Sequence, residues 1–198
     1  MSKKNVCVFA SSSNFLEEIY YEEVSELGCL LGKSNFDLVY GGSNLGLMWA
    51  CVSAAKHEGA KVYGVMPEKL FNILGAGASE ICDELHVSEN MRTRKAKLDE
   101  ISDAVVAVPG GFGTLEELSE MIVQKQLGYN SKPIVIFNVN NFYDKLLEFF
   151  EQMMKEDFAN DNCRELYYVA TTPQEVVDYL NSYKAVERII DKNSIYNR

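Results

Sequence analysis

Ala104-Val105-Val106-Ala107-Val108-Pro109-Gly110-Gly111-Phe112-Gly113-Thr114-Leu115-Glu116-Glu117 joins two kinds of structure in one short stretch. Its first five residues are apolar and mostly β-branched, as in a strand covered on both faces. Pro109 ends the run, and three glycines within four positions allow a turn that brings bare backbone close to its surroundings. From Thr114 onward the composition is that of a helix, Leu-Glu-Glu-Leu followed by more apolar residues at helical spacing.

The same strand-turn-helix sequence recurs on either side. Apolar runs lie at Val6–Ala10, Asp37–Tyr40, Lys61–Met66 and Pro133–Phe137, with weaker ones at Glu84–Val87 and Tyr167–Ala170. Stretches of helical period separate them, at Glu17–Leu31, Leu45–His57 and Asn141–Lys155. Pro173, after Thr171–Thr172, opens a last helix through Ser182. Parallel strands alternating with crossover helices predict an α/β fold: a doubly wound, mostly parallel sheet in a Rossmann-like three-layer sandwich. One nucleotide-binding domain is expected over residues 1–183, with a C-terminal extension at 184–198.

Composition narrows the functional classes. The 198 residues are 47% apolar, enough for a substantial core, and carry 29 acidic against 19 basic side chains for a net charge of −10. That balance opposes general nucleic-acid binding, which calls for a basic footprint. No apolar run approaches the roughly 20 residues of a membrane span, and Val6–Ala10 is short for a signal-peptide core. Cys7, Cys29, Cys51, Cys82 and Cys163 are odd in number and contain no C-x-x-C, and His57 and His86 are the only histidines. Buried thiols, no metal site, no cofactor and a cytoplasmic location are therefore expected.

Ligands of doubly wound sheets bind beyond the carboxyl ends of the strands. Small and hydroxyl residues gather there: Ser11-Ser12-Ser13-Asn14, Gly41-Gly42-Ser43-Asn44-Leu45-Gly46, Met66-Pro67, and Pro109 to Thr114. Together they predict a nucleotide or phosphate crevice, with the helix after the glycines aiming free amides at an anion. The pattern is neither G-x-G-x-x-G nor G-x-x-x-x-G-K-[ST]. Thr114 and Glu117 also have the spacing of a capping box, so Glu117 is either a helix cap or a reacting carboxylate. Arg92, Arg94, Lys95 and Lys97 form a cationic island in this acidic chain. With Ser88 or Asn90 as cap, Arg92 and Arg94 fall in the first turns of a helix, where positive charge opposes the dipole. Either Glu89, Asp99 or Glu100 compensates, or an incoming phosphate does.

Pro109-Gly110-Gly111-Phe112-Gly113-Thr114-Leu115-Glu116-Glu117 resembles the P-G-G-x-G-T-x-x-E motif of the LOG family of nucleoside 5′-monophosphate phosphoribohydrolases, often mislabelled lysine decarboxylases. Ser11-Ser12, Val39-Tyr40-Gly41-Gly42, Gly46-Leu47-Met48, Met91-x-x-Arg94-Lys95, Gln126-Leu127-Gly128 and Lys132-Pro133 match in the same order, so the likeness spans roughly Val6 to Phe158. It implies hydrolysis of the N-glycosidic bond of AMP or an N6-modified AMP, releasing the base and ribose 5-phosphate, in a homodimer. It also implies that Arg94 and Glu117 are catalytic, and that Ser12, Gly42, Lys95, Gly110, Gly111, Gly113 and Thr114 bind substrate or its phosphate.

Four positions depart from the family pattern. Trp49 follows Gly46-Leu47-Met48 in place of glycine, Arg92 replaces a histidine, Val123 replaces a threonine, and Asn14 replaces a glycine. They bear on which base is accepted. A non-catalytic nucleotide or phosphate-cofactor carrier using the same crevice is the alternative. Pyridoxal-dependent decarboxylation has little support, since neither His57 nor His86 precedes a lysine.

Overall fold

A computed structural model describes residues 3–74 and 80–185. Seven parallel strands form one sheet in the order β4-β3-β2-β1-β5-β6-β7. They are β1 (Lys4–Phe9), β2 (Phe36–Tyr40), β3 (Val62–Pro67), β4 (Glu84–Ser88), β5 (Ala104–Ala107), β6 (Ile134–Phe137) and β7 (Tyr168–Ala170). The helices between them are α1 (Glu18–Lys33), α2 (Gly46–His57), α3 (Glu68–Leu74), α4 (Met91–Glu100), α5 (Phe112–Gln126), α6 (Asp144–Lys155) and α7 (Pro173–Ser182). All seven apolar runs read from the sequence are strands, with ends displaced by no more than two residues. The doubly wound three-layer sandwich is the observed fold.

Alternation along the strands divides the core in two. Val6 and Val8 of β1, with Leu38, Tyr40 and Val106, pack under α1, α2 and α7. Cys7 and Phe9, with Val39, Val65, Val105 and Ile136, pack against Leu98 of α4 and Leu118 and Met121 of α5. The central strands are apolar on both faces because each face has its own helical layer, whereas edge strand β4 keeps Glu84, His86 and Val87 exposed. Helices α1 and α2 approach at two glycines: a Cβ on Gly28 would lie 2.1 Å from the Cys51 carbonyl oxygen, and one on Gly32 would lie 2.8 Å from that of Ala55.

Helix ends follow their cap residues. Of the two caps considered for α4, Asn90 is the one used: its side chain accepts from the Arg92 and Thr93 amides, and Thr93 returns a bond to the cap. Thr172 and Glu175 make the reciprocal pair at α7, with Pro173 in the first turn. The five cysteines are free. Among the described residues no helix is long and apolar enough to cross a membrane, and no group of three or more His, Cys, Asp or Glu could hold a metal. Nearly all of the extension expected at 184–198 lies outside the described residues.

The sheet order reverses at β1, which pairs with β2 on one side (Val8 opposite Tyr40) and with β5 on the other (Phe9 opposite Ala107). The loops after these three strands therefore meet at one level. The Ser11 amide donates to the Pro109 carbonyl at 3.2 Å and ties two of them together.

Candidate active site

Helix α5 supplies the anion-binding end of this crevice. It begins at Phe112 with Gly111 as its cap and no side chain capping it. The first-turn amides consequently have no intrahelical acceptor and sit at the positive end of the helix dipole. A Cβ built on Gly111 or Gly113 would meet nothing within 4 Å, so both glycines border open space. Gly110 does the opposite: its missing side chain admits Thr114, whose Oγ1 would lie 2.1 Å from a Cβ there, and Thr114 is buried.

The capping-box reading of Thr114 and Glu117 is overturned by this start point. The glycine turn lets the helix begin two residues before Thr114, so the threonine is inside the first turn and Glu117 faces inward, only 7% exposed. Its partner is Arg94 of α4, only 6% exposed. Arg94 Nη1 donates to Glu117 Oε1 at 2.6 Å, and Arg94 Nε donates to the Val65 carbonyl at the end of β3 at 3.1 Å. The compensation sought for a cation early in α4 thus comes from a residue 23 positions away rather than from Glu89, Asp99 or Glu100. Burial raises the Glu117 pKa above the usual carboxylate value, and the Arg94 charge opposes that shift without cancelling it.

A cavity of about 10 Å³ lies behind the carboxylate, lined by Cys7, Phe9, Leu98, Val105 and Met121 among others. The Cys7 thiol beside it is pushed up to about 12, by burial first and by the Glu117 charge second. It is a protonated core residue rather than a nucleophile.

The remaining expected contacts divide. Lys95 pairs with Glu116 and Glu120 on α5. Ser12 is exposed in the loop after β1. Gly42 is buried with φ +78°, and a Cβ on it would meet Met66 and Leu85, so it shapes the turn beneath the crevice. The amino end of α2 is closed: the Ser11 carbonyl accepts from Leu47 and Met48, and Asn14 Oδ1 accepts from the Gly46 amide at 2.8 Å. Asn14 is therefore a cap for α2, a role its left-handed tolerance did not reveal. With α2 sealed by the loop after β1, α5 keeps a free amino terminus.

Of the departures, Val123 lies exposed about 16 Å along α5 from Phe112 at 1.5 Å per residue, well away from the glycine turn. Trp49 is partly exposed on α2, and Arg92 is exposed on α4. Phe15, in the loop after β1, and Phe112, the first residue of α5, are 97% and 91% exposed. Two contributors were missed in the sequence. The Val65 carbonyl carries no residue signature, and Gly41 was one of several turn glycines, yet a Cβ on it would lie 2.4 Å from Arg94 Nη2.

A family model described as "Possible lysine decarboxylase" matches residues 48–180. The chain is 40% identical over 191 residues to a probable cytokinin riboside 5′-monophosphate phosphoribohydrolase, LOGL2, of Oryza sativa subsp. japonica, covering 96% of this chain and 77% of that protein. It is 39% identical to cytokinin riboside 5′-monophosphate phosphoribohydrolase LOG3 of Arabidopsis thaliana, covering 96% and 87%. The chain belongs to the LOG family.

Relatives of this LOG family chain at about 40% identity thus bear the names of hydrolases of nucleotide N-glycosyl bonds. The fold extends further. A molybdenum cofactor binding protein of Rippkaea orientalis superposes with a TM-score of 0.69 at 21% identity, covering 92% of this chain and 98% of that one. At that identity the likeness is one of fold.

Proposed function

We propose that this LOG family protein hydrolyses the N-glycosidic bond of AMP or an N6-modified AMP, yielding the free base and ribose 5-phosphate. The observation that carries this reading is the buried Arg94–Glu117 pair beside the open amino terminus of α5, at the point where the sheet order reverses. The phosphate lies on the amides of the Gly110–Thr114 turn, where the dipole and unpaired N–H groups favour it. Glu117 faces the ribose. As the C1′–N bond breaks, its electron pair leaves with the base and positive charge grows on the sugar, which the carboxylate stabilises. A water then adds its oxygen to C1′ while Glu117 accepts one of its protons, and the base nitrogen gains a proton in exchange. A carboxylate raised by burial is a better base near neutrality than an exposed one. Arg94 holds Oε1 and leaves Oε2 toward the sugar.

The protein acts in the cytoplasm, without metal or cofactor, as a homodimer that covers half-buried Ile122 and exposed Leu127 beside the motif. Light scattering tests the dimer, and a strictly monomeric particle refutes it. The activity is tested by incubating the chain with AMP and isopentenyl-AMP and looking for free base by chromatography. Base release by the wild type, with Glu117→Gln reduced by about 10²- to 10³-fold, supports the reading. No base from any monophosphate overturns it, and a phosphate ligand retained without turnover favours the carrier.

A further inference from the structure

We infer that Gly41 is a positioning residue: its missing side chain keeps open the slot occupied by Arg94 Nη2, so that this nitrogen is the donor that meets the bound nucleotide. The inference rests on the reading of the crevice as a nucleotide site. A guanidinium is a rigid plane with five N–H donors. In Arg94 the Nε donor is held by the Val65 carbonyl and Nη1 by Glu117, while Nη2 makes no hydrogen bond to a described residue. Two anchors on one rigid plane fix where the third nitrogen lies, and it lies over Gly41. A Cβ on Gly41 would be 2.4 Å from Nη2 and 3.2 Å from Met48 Sδ.

The backbone does not demand glycine here. Among the described residues the glycines with left-handed φ are Gly42, Gly46, Gly59 and Gly128. Gly41 is not one of them, so any L-residue could adopt its conformation. What a side chain meets is the guanidinium. Arg94 could yield only by turning its plane, and turning a plane held at 3.1 Å and 2.6 Å breaks one or both hydrogen bonds. Even a methyl group at position 41 therefore uncouples Arg94 from Glu117 or drives Nη2 out of the crevice. Gly42 differs: its neighbours are the flexible Met66 and Leu85, and its φ already requires glycine.

The test is a double-variant cycle on the full chain, with Gly41→Ala, Arg94→Lys and the pair together, read as kcat/KM for AMP and as its pH profile. Gly41→Ala is expected to lower kcat/KM by about 100-fold, the scale of losing one site donor, and to move the acid limb to higher pH as Glu117 loses its partner. Lysine has no Nη2, so Gly41→Ala should cause no further loss in the Arg94→Lys background. The same 100-fold loss in both backgrounds, or a Gly41→Ala enzyme that behaves as wild type, overturns the inference. Should Gly41→Ala fail to fold, Gly41→Ala must cause no further drop in melting temperature in the Arg94→Ala background, and a drop there counts against the slot. Should the wild type leave AMP intact, the hydrolase reading fails instead, and the cycle is read in the Kd for AMP by calorimetry with the same expected non-additivity.

Discussion

Removing the two members of the buried ion pair should have unequal consequences. Glu117→Leu strands an arginine that cannot shed its proton in a site where its side chain is 8% exposed. The Val65 carbonyl still accepts from Nε, but the charge is uncompensated, and a loss of about 3–5 kcal/mol is expected, as when one partner is removed from a buried pair. For a chain of this size that lowers Tm by about 6–20 °C at 2–4 °C per kcal/mol. Arg94→Met strands a carboxylate instead, and a carboxylate escapes the penalty by binding a proton. Burial already raises the Glu117 pKa with Arg94 in place, so without the arginine the group becomes neutral at still higher pH. The sign follows from linkage. A carboxyl with a folded pKa above its unfolded value loses stability as pH rises through the folded pKa. Arg94→Met should therefore be close to wild type at pH 5 and clearly weaker at pH 8, whereas the deficit of Glu117→Leu should shrink over that range, because only the wild type carries the raised carboxyl whose stabilising contribution is lost as pH rises. The double variant Arg94→Met/Glu117→Leu should be more stable than Glu117→Leu alone. Urea unfolding at both pH values provides the assay. Equal and pH-independent losses for the singles, summing in the double, would show that the two side chains do not form a closed, desolvated pair.

Glu117→Gln should flatten the part of the stability profile above pH 4.5 that descends with rising pH, because the raised carboxyl is gone, and chemical denaturation across pH 5–8 checks this. Lys95→Met should leave KM for AMP within about twofold and stability within about 1 kcal/mol, since its partners Glu116 and Glu120 lie on a partly solvated helix face; a large rise in KM would return Lys95 to the crevice. Asn14→Ala should cost about 1 kcal/mol by uncapping α2 at Gly46, read as a shift in urea midpoint with unchanged slope.

The strands and their order of helices were legible because the central strands are buried on both faces, which writes continuous Val, Ile and Phe runs into the chain, while the partly exposed edge strands β4 and β7 leave only the weaker runs. The glycine turn at Pro109–Thr114 was legible for a related reason, since close backbone approach excludes Cβ atoms. The role of Glu117 was not. Thr114-x-x-Glu117 has cap spacing, and only the placement of the helix start at Phe112 turns the same carboxylate inward. Lys95, beside Arg94 in sequence, pairs with Glu116 and Glu120 instead of Glu117 because one helical residue rotates the side chain by about 100°.

The order of residues along this chain determined which segments become strands, where the turns lack side chains, and that cations collect in one early stretch of a helix. Which cation meets which carboxylate was decided only when β3, α4 and α5 packed together. Arg94 and Glu117 are 23 residues apart, the Val65 carbonyl belongs to a backbone that any residue would supply, and Gly41 matters only because a guanidinium lies over it. Periodicity along a chain records burial; it holds no record of distances between elements, and the chemistry of this site depends on those distances.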